Sequence, residues 1–435
     1  MKWNWQQEGW PKFRYDAGKL AGYEEEYVYR AGVFLGTEKH LDEGDKRRLI
    51  VEVMSEEALK TSEIEGEYLN RESVQVSIRR NFGLDFEDRK MTAAEQGIGE
   101  MMYDLYETYE EPLTHECLYR WHGMLMRGNK EIDDIAIHTN SHSKMKKSRF
   151  AFMPSNDPSS LTSARRSSLR LCACSLRMSL SDINSNDLSS FFNANWYYRT
   201  HEEAMRVISG RVDEPTVHFE APPSKRMEIE MERFVTWFNE TGPEGSGRLP
   251  ALTRSGIAHL YFICIHPFED GNGRIGRALS EKVLSQSMGK PMLVSLSHVI
   301  QKGRNKYYDA LARNNREMEI TDWLVYFSEA VLEAQAYTQK LMEFLIKKTR
   351  FYDRVKGQLN ERQEKVVARI LAPGIEGFKG GLSAENYIRI AKTSRATATR
   401  DLQDLVDKGV LKRSGVLKGT RYSVVGVGDK EEKLK

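Results

Sequence analysis

The chain has 435 residues, 40% of them hydrophobic and 29% charged, with a formal net charge of +2. That length suits about two to three globular domains, and no apolar run approaches the roughly 18 to 20 residues of a membrane helix. Cys117, Cys172, Cys174 and Cys264 have neither zinc-site spacing nor the density of a disulfide scaffold. Met1 to Gln7 lack the apolar core of a signal peptide, so the expected compartment is the cytoplasm, with no membrane partner.

Charge is unevenly spread. From Ile346 onward there are 21 Lys and Arg against 11 Asp and Glu. A basic end of this kind suits nucleic acid, or simply a solvated surface.

The first forty residues are rich in aromatics (Trp3, Trp5, Trp10, Phe13, Tyr15, Tyr23, Tyr27 and Tyr29), which read as the core of a small packed cap. Ala17 to Gly32 is compatible with a helix. Asp42 to Leu59 reads as an amphipathic helix with Leu49, Ile50, Val53 and Ala58 inward. It runs into Thr61-Ser62-Glu63-Ile64-Glu65-Gly66, where Gly66 suits a helix stop. Helices are expected over Ser73 to Asn81, Met91 to Tyr109 and Thr114 to Leu125. His115 and His122, on the last of these, have no third ligand and read as core or boundary residues.

Residues 141–190 contain 15 serines, a composition of loops or disorder. Val207 to Glu220 reads as two short strands around a turn at Gly210 to Pro215. Met227 to Asn239 is expected to be helical. A Gly-rich loop over Gly242 to Gly247 leads into a further helix over Ala251 to Ile265.

Next comes His266-Pro267-Phe268-Glu269-Asp270-Gly271-Asn272-Gly273-Arg274-Ile275-Gly276-Arg277. Apolar residues recur at helical spacing on both sides, so the stretch predicts helix, tight loop, helix. Gly271-Asn272-Gly273 can turn successive N–H groups into an anion nest at the start of the second helix. Arg274 and Arg277, three apart, share a face and suit bidentate phosphate contacts. Asp270 supplies the hard oxygen that Mg²⁺ prefers when it bridges phosphates. His266 is the residue here suited to act as a base near neutral pH.

Ile300 to Asn314 and Ile320 to Lys348 are expected to be helical. In the first, Tyr307 and Tyr308 suit base stacking and core packing equally. Residues 359–425 read as a winged helix-turn-helix. Its helices cover Glu361 to Leu371, Ser383 to Ala391 and a recognition helix from Ser394. Its wing is made by Val410 to Arg413 and Thr420 to Ser423. Arg395, Thr397, Thr399 and Arg400 would face base edges, and Lys412, Arg413, Lys418 and Arg421 the phosphates. Protein interaction is the other use of such a module.

The twelve-residue stretch resembles, at every specified position, the signature of the Fic family, His-Pro-Phe-x-(Asp/Glu)-Gly-Asn-Gly-Arg-x-x-Arg. The resemblance covers roughly 42–348. It implies a mainly α fold, a Fic-type helical domain with a small β-hairpin flap, to which the winged helix-turn-helix is appended. It implies transfer of AMP from ATP to a Ser, Thr or Tyr hydroxyl of a target protein, with ATP and Mg²⁺ as substrate and cofactor. His266 would take the hydroxyl proton and Asp270 would hold Mg²⁺. Asn272, with Gly271 and Gly273, would cradle the α-phosphate, while Arg274 and Arg277 would hold the β- and γ-phosphates. Thr61, Glu65 and Gly66 resemble the family's inhibitory motif, whose glutamate would pair with Arg277. Val217, His218, Phe219 and Glu220 would form the flap that docks the target, and Tyr307 or Tyr308 would meet the adenine.

Against the family pattern, residues 136–195 read as a loop insertion, cheap in closure entropy. The implied organisation is an N-terminal helical extension over 1–90, a catalytic domain over 91–348, a linker at 349–358 and the winged helix. AMP removal, another nucleotide transfer, or a DNA-binding regulator that senses nucleotide are the alternatives; a homodimer is left open.

Overall fold

A computed structural model describes residues 2–86, 89–127, 197–211 and 214–427. The expected insertion at 136–195, with Cys172 and Cys174, lies outside them. Elements are numbered over the described residues, which form a mainly helical chain in two compact units. The first comprises 1–37 and 50–335, the second 38–49 and 336–435. No described helix is long and apolar enough to cross a membrane.

The first unit holds α1 (Ala17–Lys39), most of α2 (Glu43–Ile64), α3 (Arg71–Asn81), α4 (Ala93–Thr108) and α5 (His115–Leu125). Then come the strands β1 (Arg206–Arg211) and β2 (Glu214–Glu220). The helices α6 (Met227–Glu240), α7 (Ala251–Ile265), α8 (Asn272–Met288), α9 (Leu296–Lys302) and α10 (Arg304–Asn314) follow, and then the start of α11 (Thr321–Val355). Local chemistry sets several of these starts. Thr92 and Glu95 exchange side-chain and backbone bonds in a capping box at α4, and Asn70 and Thr114 cap α3 and α5. The single run expected over 300–314 is two helices, broken at Gly303.

Helices α7 and α8 lie side by side through the centre. On α7, Ile257, Leu260 and Cys264 join Leu284, Ile320, Trp323, Leu324 and Phe327 in one buried cluster. The N-terminal aromatics, read as the core of a separate small cap, pack instead onto this central cluster: Trp3, Trp5, Trp10, Phe13, Tyr15 and Tyr23 lie against it and Tyr27 is buried. Tyr29 is the exception, exposed to solvent. Beneath the centre, α4 and α5 pack so closely that a Cβ on Gly97 would stand 1.8 Å from the carbonyl oxygen of Met124.

In the second unit, α12 (Glu361–Leu371), α13 (Ala384–Ala391) and α14 (Arg395–Asp407) precede a hairpin of β3 (Leu411–Ser414) and β4 (Arg421–Val424). Asn360, Ser383 and Ser394 cap the three helices. The Asp401 carboxylate ties them together, accepting from Arg362 on α12 at 3.0 Å and from the Tyr387 hydroxyl on α13 at 2.9 Å. The linker expected at 349–358 is mostly helix. α11 continues to Val355, because Phe344, Phe351 and Val355 have an apolar cluster to enter with Val366, Leu402 and Leu411.

Gly97→Ala should cost about 3 kcal/mol, as overpacking between two backbones does, and lower the melting temperature. A variant that melts with the parent would show that α4 and α5 are not so tightly apposed.

Candidate active site

Helix α7 ends at Ile265 because His266 leaves helical geometry for the left-handed region, φ 52° and ψ 61°. That conformation is uncommon for a residue with a side chain, and several bonds hold it. Arg199, 3% exposed, donates from Nε to the carbonyl of His266 at 2.8 Å. Its backbone N–H donates to Pro267 O at 2.9 Å. Its remaining nitrogens reach Ser224 Oγ at 2.9 Å and the carbonyl of Pro222, beyond the hairpin. One buried guanidinium thus pins the histidine turn to the exit of β2.

The His266 ring faces Ile263 O through Nδ1 at 3.3 Å. A carbonyl only accepts, so Nδ1 carries the hydrogen and Nε2 keeps its lone pair. Burial pushes the imidazole down to about 4, with Arg199 adding to the effect. The ring is therefore neutral well below the near-neutral range expected from its residue type.

The loop after it is braced from both sides. Phe268 is fully buried and stacks on the His122 ring, centroids 4.1 Å apart and planes within 8°. Burial holds His122 neutral, pushed down to about 3. Asn272 is turned inward: its Oδ1 accepts from Phe268 N at 3.0 Å and its Nδ2 donates to Phe268 O at 2.7 Å. The carboxamide expected on a phosphate is therefore spent on closing the loop, leaving the backbone to form the nest. Gly271, at φ 82°, takes the turn that starts α8, and the first-turn N–H groups of α8 have no intrahelical partners.

Asp270 lies at the open side of this loop, with Oδ1 accepting from Gly271 N at 2.6 Å and Oδ2 at 3.4 Å from Arg274 Nη2. Among the described residues no group of three or more His, Cys, Asp or Glu is arranged to hold a metal. Asp270 is thus a single carboxylate beside an anion nest.

Arg274 and Arg277 project from α8 toward the end of α2. Arg277 is 2% exposed. Its Nε donates to Thr61 Oγ1 at 2.7 Å, and its Nη2 to Thr61 O at 2.9 Å and Glu65 Oε1 at 2.7 Å. Burial alone would pull the guanidinium down, but Glu65 and the charges around it raise it. The expected trio of Thr61, Glu65 and Gly66 thus meets Arg277 in space. Gly66, at φ 87°, ends α2: its N–H donates to Glu63 O at 3.1 Å and that of Glu67 to Ser62 O at 3.0 Å. This is the double bond pattern of a left-handed helix stop. Gly273 admits the lock, since a Cβ there would stand 2.2 Å from Glu65 Oε1.

Of the flap residues, Val217 and His218 are exposed, Phe219 is buried and Glu220 is half-buried. β2 pairs antiparallel with β1, with a register shift where Val207 faces Phe219 and Ile208 faces Val217. Two β2 carbonyls already have partners: His218 O accepts from Asn315 Nδ2 at 3.2 Å and Glu220 O from Trp5 Nε1 at 2.7 Å. Trp3 meets Phe219 edge-on at 5.3 Å. The N-terminal cap therefore anchors the hairpin, a role its aromatic composition did not reveal.

Tyr307 is removed from the adenine candidates. It is 2% exposed, and its hydroxyl lies 2.8 Å from His259 Nε2 within the core. Tyr308 is 39% exposed, with Arg304 over its ring. In the second unit, Arg395, Thr399, Arg400, Lys412 and Arg413 are exposed and Thr397 is half-buried.

Glu65→Gly should leave the buried Arg277 short of its carboxylate. It should destabilise the protein by about 2 kcal/mol, less than a fully buried pair because Glu65 is partly exposed. Thermal unfolding checks this, and an unchanged melting temperature would contradict the lock.

Comparison with known proteins fits this arrangement. Residues 191–284 match the model of the Fic/DOC family, and residues 3–84 that of a domain of unknown function, DUF4172. The chain is 35% identical over 85 residues to the protein adenylyltransferase Fic of Culex quinquefasciatus, covering 20% of this chain and 15% of that protein. The same identity and length are found with the Drosophila yakuba protein of that name, over 20% and 16%. The chain thus spans only about a sixth of these relatives. Among solved structures, a Fic family protein from Desulfovibrio desulfuricans G20 aligns with 94% of this chain and 97% of its own, at 18% identity and a TM-score of 0.44. Fic-1 of C. elegans aligns over 77% and 75%, at 17% identity and 0.43. The match to the Fic/DOC family model, residues 191–284, spans the histidine turn, the anion nest and both arginines.

Proposed function

We propose that this protein is an autoinhibited adenylyltransferase that transfers AMP from ATP to a hydroxyl side chain of a target protein. One observation carries the reading: a base with its Nε2 lone pair free, an anion nest and two buried arginines converge, and a carboxylate from α2 occupies the second arginine. A protein that only senses nucleotide needs no base.

The target hydroxyl oxygen forms the new bond to the α-phosphorus. The bond from that phosphorus to its β-bridging oxygen breaks, and pyrophosphate leaves. His266 Nε2 takes the hydroxyl proton, and the N–H groups at the start of α8 face the charge that builds on the α-phosphate. Arg274 and Arg277 orient the β- and γ-phosphates. Asp270, one carboxylate to complement phosphate oxygens, fits the donor set that Mg²⁺ accepts; when bound, that ion neutralises phosphate charge. In the resting protein Glu65 and Thr61 hold the fork that the γ-phosphate would take, so ATP binds unproductively. The target's main chain would lie along the hairpin, which needs only backbone groups there.

Incubated with Mg²⁺ and α-labelled ATP, Glu65→Gly should label itself or a lysate protein, and adding His266→Ala should abolish the label. Label from γ-labelled ATP instead would mean kinase-like chemistry, and no label at all would count against AMP transfer. Burial pushes His266 down to about 4, which keeps the base deprotonated across the neutral range. The labelling rate of Glu65→Gly should therefore lack a histidine step between pH 6 and 8, falling only as pH approaches 4. A step near 6.5 would contradict the half-buried, neutral base.

The second unit supports a further assignment, a winged helix-turn-helix that binds DNA. Arg395 and Arg400 on α14, with Lys412 and Arg413 on the hairpin, present an exposed basic surface beside a capped helix start. Full-length protein should bind duplex DNA with strong salt dependence. Replacing Lys412 and Arg413 by Ala should reduce the salt slope by about 2. Absent or salt-insensitive binding would sink this assignment.

A further inference from the structure

The stop at Gly66 does more than end α2. It turns the chain so that the carboxylates of residues 65 and 67 both reach α8. Glu65 meets Arg277, and Glu67 Oε2 accepts from Arg274 Nη1 at 2.8 Å. Arg274 is 6% exposed, and its Nε has no hydrogen-bond partner. A guanidinium so buried needs an anion. Asp270, its other carboxylate neighbour, stands at 3.4 Å, so the close partner is Glu67. The two holds differ. Glu65 acts beside two bonds from Thr61, whereas Glu67 acts through one ion pair with its side chain 35% exposed, and can exchange Arg274 for water.

We propose that Glu67 is a second occupant of the anion site and sets nucleotide affinity at the β-phosphate position. This rests on the nucleotide-binding reading of the site. A β-phosphate must take Arg274 from Glu67, so a diphosphate binds only to the fraction of molecules in which that exchange has occurred. A monophosphate ends before Arg274 and is indifferent to it. Glu65 discriminates at the third phosphate and Glu67 at the second, so the resting site is held at two successive positions.

The test is calorimetric titration of the full-length protein and its variants with AMP and ADP in Mg²⁺. Glu67→Ala should tighten ADP by about 10-fold and leave AMP within about 2-fold, and Glu67→Gln should fall between parent and Ala. Glu65→Gly should not change the ADP-to-AMP ratio. Melting temperatures establish that each variant is folded, and Glu67→Gln preserves the packing if Ala does not. ADP unchanged by Glu67→Ala in a protein that binds nucleotide, or AMP and ADP shifting together, would overturn the proposal alone. Failure of the parent and every variant to bind either nucleotide would overturn the nucleotide reading, and this proposal with it.

Discussion

The site depends on one constraint: Arg277 is a permanent cation buried in the protein and must have an anion. Leaving such a charge without its carboxylate is costly, so the folded protein favours a filled fork. Thr61 and Glu65 fill it, from 216 and 212 positions away in sequence. A phosphate is the other group that satisfies the same fork. In the proposed function, competition between carboxylate and phosphate would follow from burial rather than from a dedicated switch. Gly273 belongs to both states, because its missing Cβ opens the nest and leaves room for Glu65.

The histidine turn is held by different means. His266 sits in a backbone conformation that favours glycine, and Arg199 and the Phe268–Asn272 bonds fix it there. His122 closes the loop from below as a flat, neutral partner for Phe268. The N-terminal cap adds a third support, with Trp5 donating to the strand that would meet a target. The segment matching a domain of unknown function thus acts on the site in two ways. Its aromatics brace the hairpin, and its α2 end supplies the carboxylates.

Much of this was legible in the sequence where chemistry is local. His266, the glycines and both arginines lie within twelve residues, so spacing alone placed them on one loop and one helix face. Thr61 and Glu65 needed the resemblance to a known motif, since a Thr and a Glu at a helix end are ordinary surface residues. Arg199, Trp5 and Glu67 were not legible, nor was the partner of the buried His122, because each acts through a residue far away in sequence. Tyr307 and Tyr308 looked alike as neighbours, but helix phase buries one and exposes the other. The Asn272 carboxamide, expected on a phosphate, bonds the Phe268 backbone instead. A carboxamide suits phosphate and peptide equally, and the tight turn claimed it first. The expected linker failed because residues 349–355 carry Phe351 and Val355, which extend the helix into a second core.

The central claim is that one guanidinium is shared in turn between Glu65 and the terminal phosphate. The most direct measurement is a pair of crystal structures with Mg²⁺ and a non-hydrolysable ATP analogue, one of the parent and one of Glu65→Gly. The γ-phosphate should lie on the Arg277 fork in the variant and away from it in the parent, where Glu65 still holds the arginine. The same nucleotide pose in both proteins, with Arg277 on the γ-phosphate despite Glu65, would contradict it.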